Sequence, residues 1–360
     1  MTLLAELATP CLLVDLDRLE TNIASMAGDA RLKGVALRPH AKTHKSAQIA
    51  RLQLDAGAAG LTLATVSEAE MFVGQGFTDI FIAYPLWVDA PKADRLRALL
   101  DTCTLAVGVD SAEGARALAA GLDADDRQRL TVLVEVDSGH HRTGVAPEEA
   151  GLLAEQATHA GLDVHGVFTF PGHSYSPGAR QQVADQEAEA LAAAAAALED
   201  RGLRCPVRSG GSTPTAHSVG PGTMTEMRPG VYVFGDAQQL ELGTIGPDRI
   251  ALTCLATVVS HAGGNTVLDS GSKALGADRA PWASGYGRLL DHPDARISSL
   301  SEHHAVVTWP ADAPRPEVGS RVRVVPNHVC NAVNLADTLV ICRDGEVRER
   351  WPVSARGANT

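Results

Sequence analysis

Two lysines and two histidines crowd the eight residues Arg38-Pro39-His40-Ala41-Lys42-Thr43-His44-Lys45. They follow an apolar run, Val35-Ala36-Leu37, and precede a helical pattern that starts at Ser46. This order places cations at the end of a strand, where α/β folds carry their chemistry. A lysine crowded by other cations and partly desolvated loses basicity, and a neutral amine can form a Schiff base. Lys42 is nearer the strand end and is expected to point into a barrel mouth. Lys45, at the helix start, is expected to face phosphate or solvent. Read alone, the stretch serves equally well as a solvated basic turn.

Further stretches add polar groups after apolar runs. Ser209-Gly210-Gly211-Ser212-Thr213-Pro214-Thr215 follows a strand pattern ending near Arg208. Its glycines let backbone amides approach an oxyanion, Ser212 and Thr213 add hydroxyls, and Thr215-Ala216-His217 is expected to open a helix whose N-terminus favours negative charge. That describes a phosphate site where barrels place one; a plain left-handed turn with an N-cap is the competing reading. Asp137-Ser138-Gly139-His140-His141-Arg142-Thr143-Gly144 can orient a cofactor ring, or Asp137 and Arg142 can pair within the loop. Gly172-His173-Ser174-Tyr175 puts His173 and Tyr175 where they can meet a substrate carboxylate, with helix capping as the alternative. Glu226-Met227-Arg228-Pro229-Gly230-Val231-Tyr232 offers Arg228 to a pyridine nitrogen and two amides, of Gly230 and Val231, to phosphate; a salt bridge at a domain joint is the other reading.

Pro326-Asn327-His328-Val329-Cys330-Asn331-Ala332-Val333-Asn334 also follows a strand pattern. In an extended chain residues i and i+2 share a side, so His328 and Cys330 are expected to reach one ion together. Imidazole plus thiolate suits zinc and leaves positions open for water or substrate. A lone H-x-C also arises often by chance.

Positioning these groups takes a scaffold. Apolar strands are read at 11–15, 34–37, 60–64, 79–83, 104–109, 130–136, 164–169 and 205–208, with helical segments such as 91–100, 112–122, 148–160 and 178–202 between them. Apolar strands alternating with helices imply parallel pairing with both faces covered. Eight such units predict an α/β fold, a (β/α)8 TIM barrel over 11–240 with its site at the C-terminal strand ends. An open doubly wound sheet is the alternative. From 245 to 360, runs such as 251–259, 305–309, 321–325 and 338–342 are separated by Gly, Pro and Asp, which predicts an all-β domain carrying the metal motif. Residues 1–10 are expected to be able to pair back onto it.

At 360 residues the chain can bury a large core and hold both domains. Its formal charge of −12, from 31 basic and 43 acidic residues, argues against nucleic acid or an anionic membrane as a general partner. The N-terminus lacks the basic and apolar regions of a signal peptide, and no apolar run is long enough to span a membrane. The six cysteines (11, 103, 205, 254, 330 and 342) lack CxxC spacing and read as reduced thiols, so a cytoplasmic location is expected.

Taken together, the motifs resemble the D-serine dehydratase and D-threonine aldolase family, pyridoxal-phosphate enzymes on an alanine-racemase-like barrel with a C-terminal β-domain. The resemblance runs through Pro39-His40-Ala41-Lys42-Thr43-His44, Gly210-Gly211-Ser212-Thr213-Pro214, Arg228-Pro229-Gly230, Asp269-Ser270-Gly271-Ser272-Lys273 and Pro326-Asn327-His328-Val329-Cys330, in the family's order. It implies that Lys42 carries pyridoxal 5'-phosphate as a Schiff base and then serves as base. It implies that His40, Arg142, Tyr175 and Arg228 surround the cofactor, with Gly210, Gly211, Ser212, Thr213, Gly230 and Val231 toward its phosphate. His173 and Tyr175 are implied to meet the substrate. His328 and Cys330 are implied to hold a divalent metal, zinc before manganese or magnesium, that grips a β-hydroxyl as a Lewis acid.

The implied reaction is lyase chemistry on a small-molecule D-β-hydroxy amino acid, in a head-to-tail homodimer. Aldolases of the family resemble one another in His-x-Asp at the metal and dehydratases in His-x-Cys. Cys330 therefore favours D-serine dehydratase-like elimination to a keto acid and ammonia. Retro-aldol cleavage to glycine and an aldehyde, as in D-threonine aldolase, is the alternative. A racemase is a weaker reading, because only Tyr286 is offered as the opposing acid. A non-catalytic cofactor carrier is weaker too, since such proteins end after the barrel. Phe170 is a departure: racemase relatives tend to carry histidine there.

Overall fold

The computed structural model describes residues 4–360. Strand β1 (Cys11–Asp15) comes first. The barrel strands follow as β2 (Ala36–Leu37), β3 (Leu61–Leu63), β4 (Asp79–Pro85), β5 (Thr104–Val109), β6 (Thr131–Glu135), β7 (Asp163–Phe168), β8 (Val207–Gly210) and β9 (Glu226–Met227). They form one 8-stranded parallel sheet ordered β2-β9-β8-β7-β6-β5-β4-β3, and a parallel bridge between His40 and Thr62 joins its two ends. Parallel strands need crossovers, and helices supply them. The helix Ala90–Leu100 shows why they form: Asp89 caps the Lys92 amide, a proline sits in the first turn, and Ala93, Leu96, Leu99 and Leu100 are buried along one face. Inside the barrel Phe81, Leu133 and Phe168 pack together, with the two rings edge to face at 5.1 Å.

The second sheet contains β10 (Leu252–Ser260), β11 (Thr266–Leu268), β12 (Gly287–Leu289), β13 (Arg296–Leu300), β14 (Ala305–Thr308), β15 (Arg321–Pro326), β16 (Thr338–Arg343) and β17 (Glu346–Pro352). It is 9-stranded, in the order β11-β14-β13-β12-β15-β10-β1-β16-β17.

The expectation that residues 11–15 open the barrel is overturned. β1 runs antiparallel to β10 and parallel to β16, inside the second sheet. A short apolar run buried on both faces reads alike in either setting, so periodicity could not choose. The eighth barrel strand is instead β9, whose two residues are too few to register as an apolar run. The chain falls into two compact units. One compact unit holds Met26–Lys42, Ala50–Gly230 and Ala358–Thr360; the other holds the chain up to Ser25, Thr43–Ile49 and Val231–Gly357. Leu4 and Leu7 pack in the second unit with Leu13, Leu255, Val340 and Cys342; the first three residues of the 1–10 segment lie outside the described residues. Among the described residues no helix is long and apolar enough to cross a membrane.

Candidate active site

Lys42 stands just past β2, in the short 3-10 turn Ala41–Thr43. His40 precedes it, with its amide donating to the Pro229 carbonyl at 3.0 Å. One cation of the stretch is neutralised. Arg38 is ion-paired with Asp79 and with Glu226, each at 2.6 Å. Lys45 does not face solvent: it is buried, has a positive φ of 48°, and donates to Asn334 Oδ1 at 2.7 Å.

Phe170, beyond the end of β7, is the ring around which the barrel's polar groups gather. Lys42 Nζ lies 5.6 Å from its centroid and Arg142 Cζ lies 5.1 Å from it, both within cation–π range. His140 meets the ring edge-on at 5.6 Å, Tyr175 is tilted against it at 6.4 Å, and His173 stacks on His140 at 6.4 Å. Two glycines make room. A Cβ at Gly172 would come within 2.5 Å of the His140 ring, and one at Gly139, where φ is +112°, within 3.1 Å of His173.

Asp137 does not pair with Arg142. It takes His141 Nδ1 at 2.6 Å and the amides of Gly139 and His141 at 2.9 and 3.0 Å, which leaves Arg142 on the aromatic ring. Burial opposes ionisation of Asp137, but these hydrogen bonds outweigh it and hold the carboxyl below its usual range. Burial, with the charge of Arg142 and His173, lowers His140 from the ordinary imidazole value.

The loop after β8 differs from its expected form. Residues 213–218 form turns, and Thr215 opens no helix. The Gly211 amide donates to Glu187 Oε1 at 2.5 Å and the Thr215 hydroxyl to Glu187 Oε2 at 3.3 Å. The oxyanion that the glycines admit is thus a carboxylate from the protein's own helix Arg180–Glu199. Ser212 Oγ contacts the hydroxyls of Ser174 at 2.9 Å and Thr215 at 3.0 Å, and Ser212 and Thr213 are both buried.

Arg228 is buried with them. It donates to Ser209 Oγ and, at 2.7 Å, to the Thr169 carbonyl. Its Nε is buried with no hydrogen-bond partner among the described residues. Burial draws the guanidinium below its ordinary value, against the pull of Glu226, Glu187 and Glu135. All three acids belong to the barrel unit, so this is not a salt bridge at a domain joint. The chain passes from one unit to the other between Gly230 and Val231.

The metal motif is not an extended strand. His328 is the N-cap of the helix Val329–Leu335, with φ −128° and ψ 107°, and Cys330 lies in its first turn. The alternation argument therefore does not apply; a helix start brings the two side chains together. His328 Nδ1 is hydrogen-bonded to Asp278, and Cys330 is within hydrogen-bonding reach of the imidazole. Burial disfavours the protonated ring, but Cys330 and Asp278 outweigh it and push His328 up to about 11. Among the described residues no three His, Cys, Asp or Glu side chains form a group able to hold a metal.

Comparison with known proteins places these features. Residues 14–238 match the family described as "Alanine racemase, N-terminal domain", and residues 251–342 match "Putative serine dehydratase domain". The chain is 36% identical to D-threo-3-hydroxyaspartate dehydratase of Delftia sp. (strain HT23) over 352 residues, 91% of this chain and 92% of the relative. It is 35% identical to D-threonine aldolase of Arthrobacter sp. over 363 residues, 98% and 94% of the two chains. The chain belongs to the D-serine dehydratase and D-threonine aldolase family. It is accordingly a pyridoxal-phosphate-dependent lyase. A solved structure of D-threo-3-hydroxyaspartate dehydratase, a cysteine-to-alanine mutant in the metal-free form, superposes with a TM-score of 0.87 at 33% identity, covering 98% of this chain and 99% of that one.

The family's coenzyme fits the barrel groups described. An aldehyde needs an amine, which Lys42 would supply; a phosphate needs donors, which Ser212 and Thr213 would supply. The buried, unpartnered Nε of Arg228 is a donor suited to a ring nitrogen. His328 and Cys330 form an N,S donor pair with a carboxylate behind the imidazole, the usual setting of a metal-binding histidine. Sequence reasoning missed His140, Glu187 and Asp278. His140 stood inside a motif already singled out. Glu187 and Asp278 lay outside any motif and carried no local signal.

Proposed function

We propose that this family member acts on D-β-hydroxy amino acids with the help of a divalent metal, eliminating the β-hydroxyl to give a keto acid and ammonia. The observation that supports it most directly is Lys42 Nζ at 5.6 Å from the Phe170 centroid, with Arg142, His140 and Tyr175 around the same ring. Lys42 would hold the coenzyme aldehyde, Arg228 would serve its ring nitrogen, and His40 would complete the surroundings of the ring. Ser212, Thr213 and the amides of Gly230 and Val231 would take its phosphate, with Gly210 leaving room for the Glu187 carboxylate behind the turn. Gly211 leaves that set, because its amide is committed to Glu187. When bound, the coenzyme supplies an electron sink for charge developing at the substrate α-carbon.

Lys42 Nζ would also accept the α-proton of a D-amino acid. Arg142, His173 and Tyr175 orient the substrate carboxylate. His328 and Cys330 hold the metal, and the thiolate favours zinc over manganese or magnesium. Bound there, the metal supplies a Lewis acid for the β-hydroxyl. Elimination is preferred because Cys330, rather than aspartate, stands beside His328, and because of the likeness to D-threo-3-hydroxyaspartate dehydratase. The metal-free form known for a cysteine mutant of such a dehydratase supports a role for Cys330 in metal binding. Retro-aldol cleavage is the second reading. It draws on the likeness to D-threonine aldolase and on His140, whose lowered pKa leaves it neutral and able to accept a hydroxyl proton.

A homodimer and a cytoplasmic location are part of the same proposal; six free cysteines fit a reducing compartment. Product analysis with D-serine, D-threonine and D-threo-3-hydroxyaspartate tests the reaction. Keto acid with ammonia is expected. Glycine with an aldehyde would move the assignment to the aldolase, and absence of both from all three would remove the D-β-hydroxy substrate class.

A further inference from the structure

Glu187 is fully buried on the inner face of the helix Arg180–Glu199. Its two oxygens take the Gly211 amide at 2.5 Å and the Thr215 hydroxyl at 3.3 Å, the two ends of the turn that presents Ser212 and Thr213. Ser212 is tied into the same arrangement, with its amide donating to Thr215 Oγ1 at 3.0 Å. Gly210 leaves room for the carboxylate where it stands: a Cβ there would lie 2.5 Å from Glu187 Oε1. Gly211 has φ +84°, a conformation that glycine adopts without strain. Sequence, backbone shape and hydrogen bonds thus converge on one side chain that no local pattern had marked.

We propose that Glu187 is a positioning residue of the coenzyme phosphate site, bracing the Gly211–Thr215 turn from inside so that Ser212 and Thr213 are held ready for a phosphate monoester. The proposal rests on the reading that this turn binds the coenzyme phosphate. An acid beside an anion site is tolerable only if it can shed its charge. Burial pushes Glu187 up to about 7, against the Gly211 amide, Arg228 and Thr215, so a neutral carboxyl is accessible when a phosphate dianion is near. A glutamine keeps both contacts: its carbonyl accepts from Gly211, and its amide donates to Thr215.

Full-length apoprotein of the wild type, Glu187→Ala and Glu187→Gln is titrated with pyridoxal 5'-phosphate and, in parallel, with pyridoxal, which has the aldehyde and ring but no phosphate. The wild type is expected to favour the phosphorylated form. In Glu187→Ala the affinity for pyridoxal 5'-phosphate falls by roughly tenfold or more, the scale of a lost buried hydrogen-bonding partner, while pyridoxal binding stays unchanged. Glu187→Gln restores wild-type discrimination. Equal losses for both ligands, or no loss in a folded Glu187→Ala protein, would overturn the proposal. A wild type that does not distinguish the two ligands would refute the phosphate reading itself, and the proposal with it. Should Glu187→Ala fail to fold, Thr215→Val removes one contact of the brace and carries the same comparison, with a smaller loss confined to the phosphorylated ligand. A Thr215→Val protein that discriminates as well as the wild type counts against the brace.

Discussion

The Cys330 thiol donates to the Thr43 hydroxyl at 3.3 Å, and Thr43 is the residue that follows Lys42. The neighbouring contact is similar: Lys45 Nζ reaches Asn334, on the helix that begins beside His328. The stretch that holds Lys42, the proposed Schiff-base lysine, is therefore fastened at its far end to the element proposed to hold the metal. As a metal ligand Cys330 is a thiolate, and Thr43 then becomes the donor. Thr43→Val keeps the volume and removes that donor. Its metal affinity is expected to fall about tenfold, the lower end for loss of a group that supports a ligand. Competition with a chromophoric chelator measures it; unchanged affinity would show that the hydroxyl plays no part.

Lys42→Ala is expected to abolish the visible absorbance of lysine-bound pyridoxal phosphate together with turnover. The remaining barrel groups can still bind the free coenzyme, so equilibrium dialysis separates loss of the covalent link from loss of binding. Retention of the absorbance band would take Lys42 out of its assigned role.

Removal of the metal by a chelator, or of its ligands by His328→Ala or Cys330→Ala, should stop turnover and leave the coenzyme absorbance intact. The coenzyme groups proposed in the barrel do not include these two side chains. Zinc should restore the chelated wild type and not the variants. Turnover that survives with no metal detectable by elemental analysis would rule out the metal-assisted reading.

Stability should depend on pH through Glu187. Its folded-state value of about 7 stands above the ordinary 4.5. Below 4.5 both states hold the proton and the residue contributes nothing to the pH dependence. Between the two values the unfolded chain releases the proton while the folded protein keeps it, so stability falls as pH rises and levels off above about 7. The full cost is on the order of 3 kcal/mol. Glu187→Gln cannot ionise, so it should unfold at higher denaturant concentration than the wild type at pH 8 and at a similar concentration at pH 4. A pH-independent gap between the two proteins would contradict this assignment.

Arg38 tests the barrel closure. Its guanidinium links Glu226 at the start of β9 to Asp79 at the start of β4, and Glu226 is buried. Arg38→Ala strands that carboxylate, a loss expected to cost about 3–5 kcal/mol in denaturant unfolding. The double change Arg38→Ala with Glu226→Gln should recover part of it. A change within error would mean that Glu226 finds another partner.

Much of the architecture could be read from residue order, because strand–helix alternation over some two hundred positions admits few arrangements. Lys42, Arg142, His173, Tyr175, Arg228, His328 and Cys330 could be named as candidates, since each stands in a polar stretch next to an apolar run. Their partners could not. Asp137 paired with His141 in preference to Arg142, Lys45 turned to Asn334, and Glu187 filled the space left by Gly210. Each of these choices depends on which side chain arrives from a distant element, and sequence spacing does not contain that information.

The chain alone determined a parallel barrel, an all-β second domain and the residue types at the chemistry, because periodicity and local composition are written residue by residue. Only the tertiary structure decided that β1 joins the second sheet, that Phe170 gathers the cationic groups, that a helix cap joins His328 to Cys330, and that an internal carboxylate takes the Gly211 amide. Those outcomes were settled by burial, which leaves each polar group to find its partner among whatever the fold brings within reach.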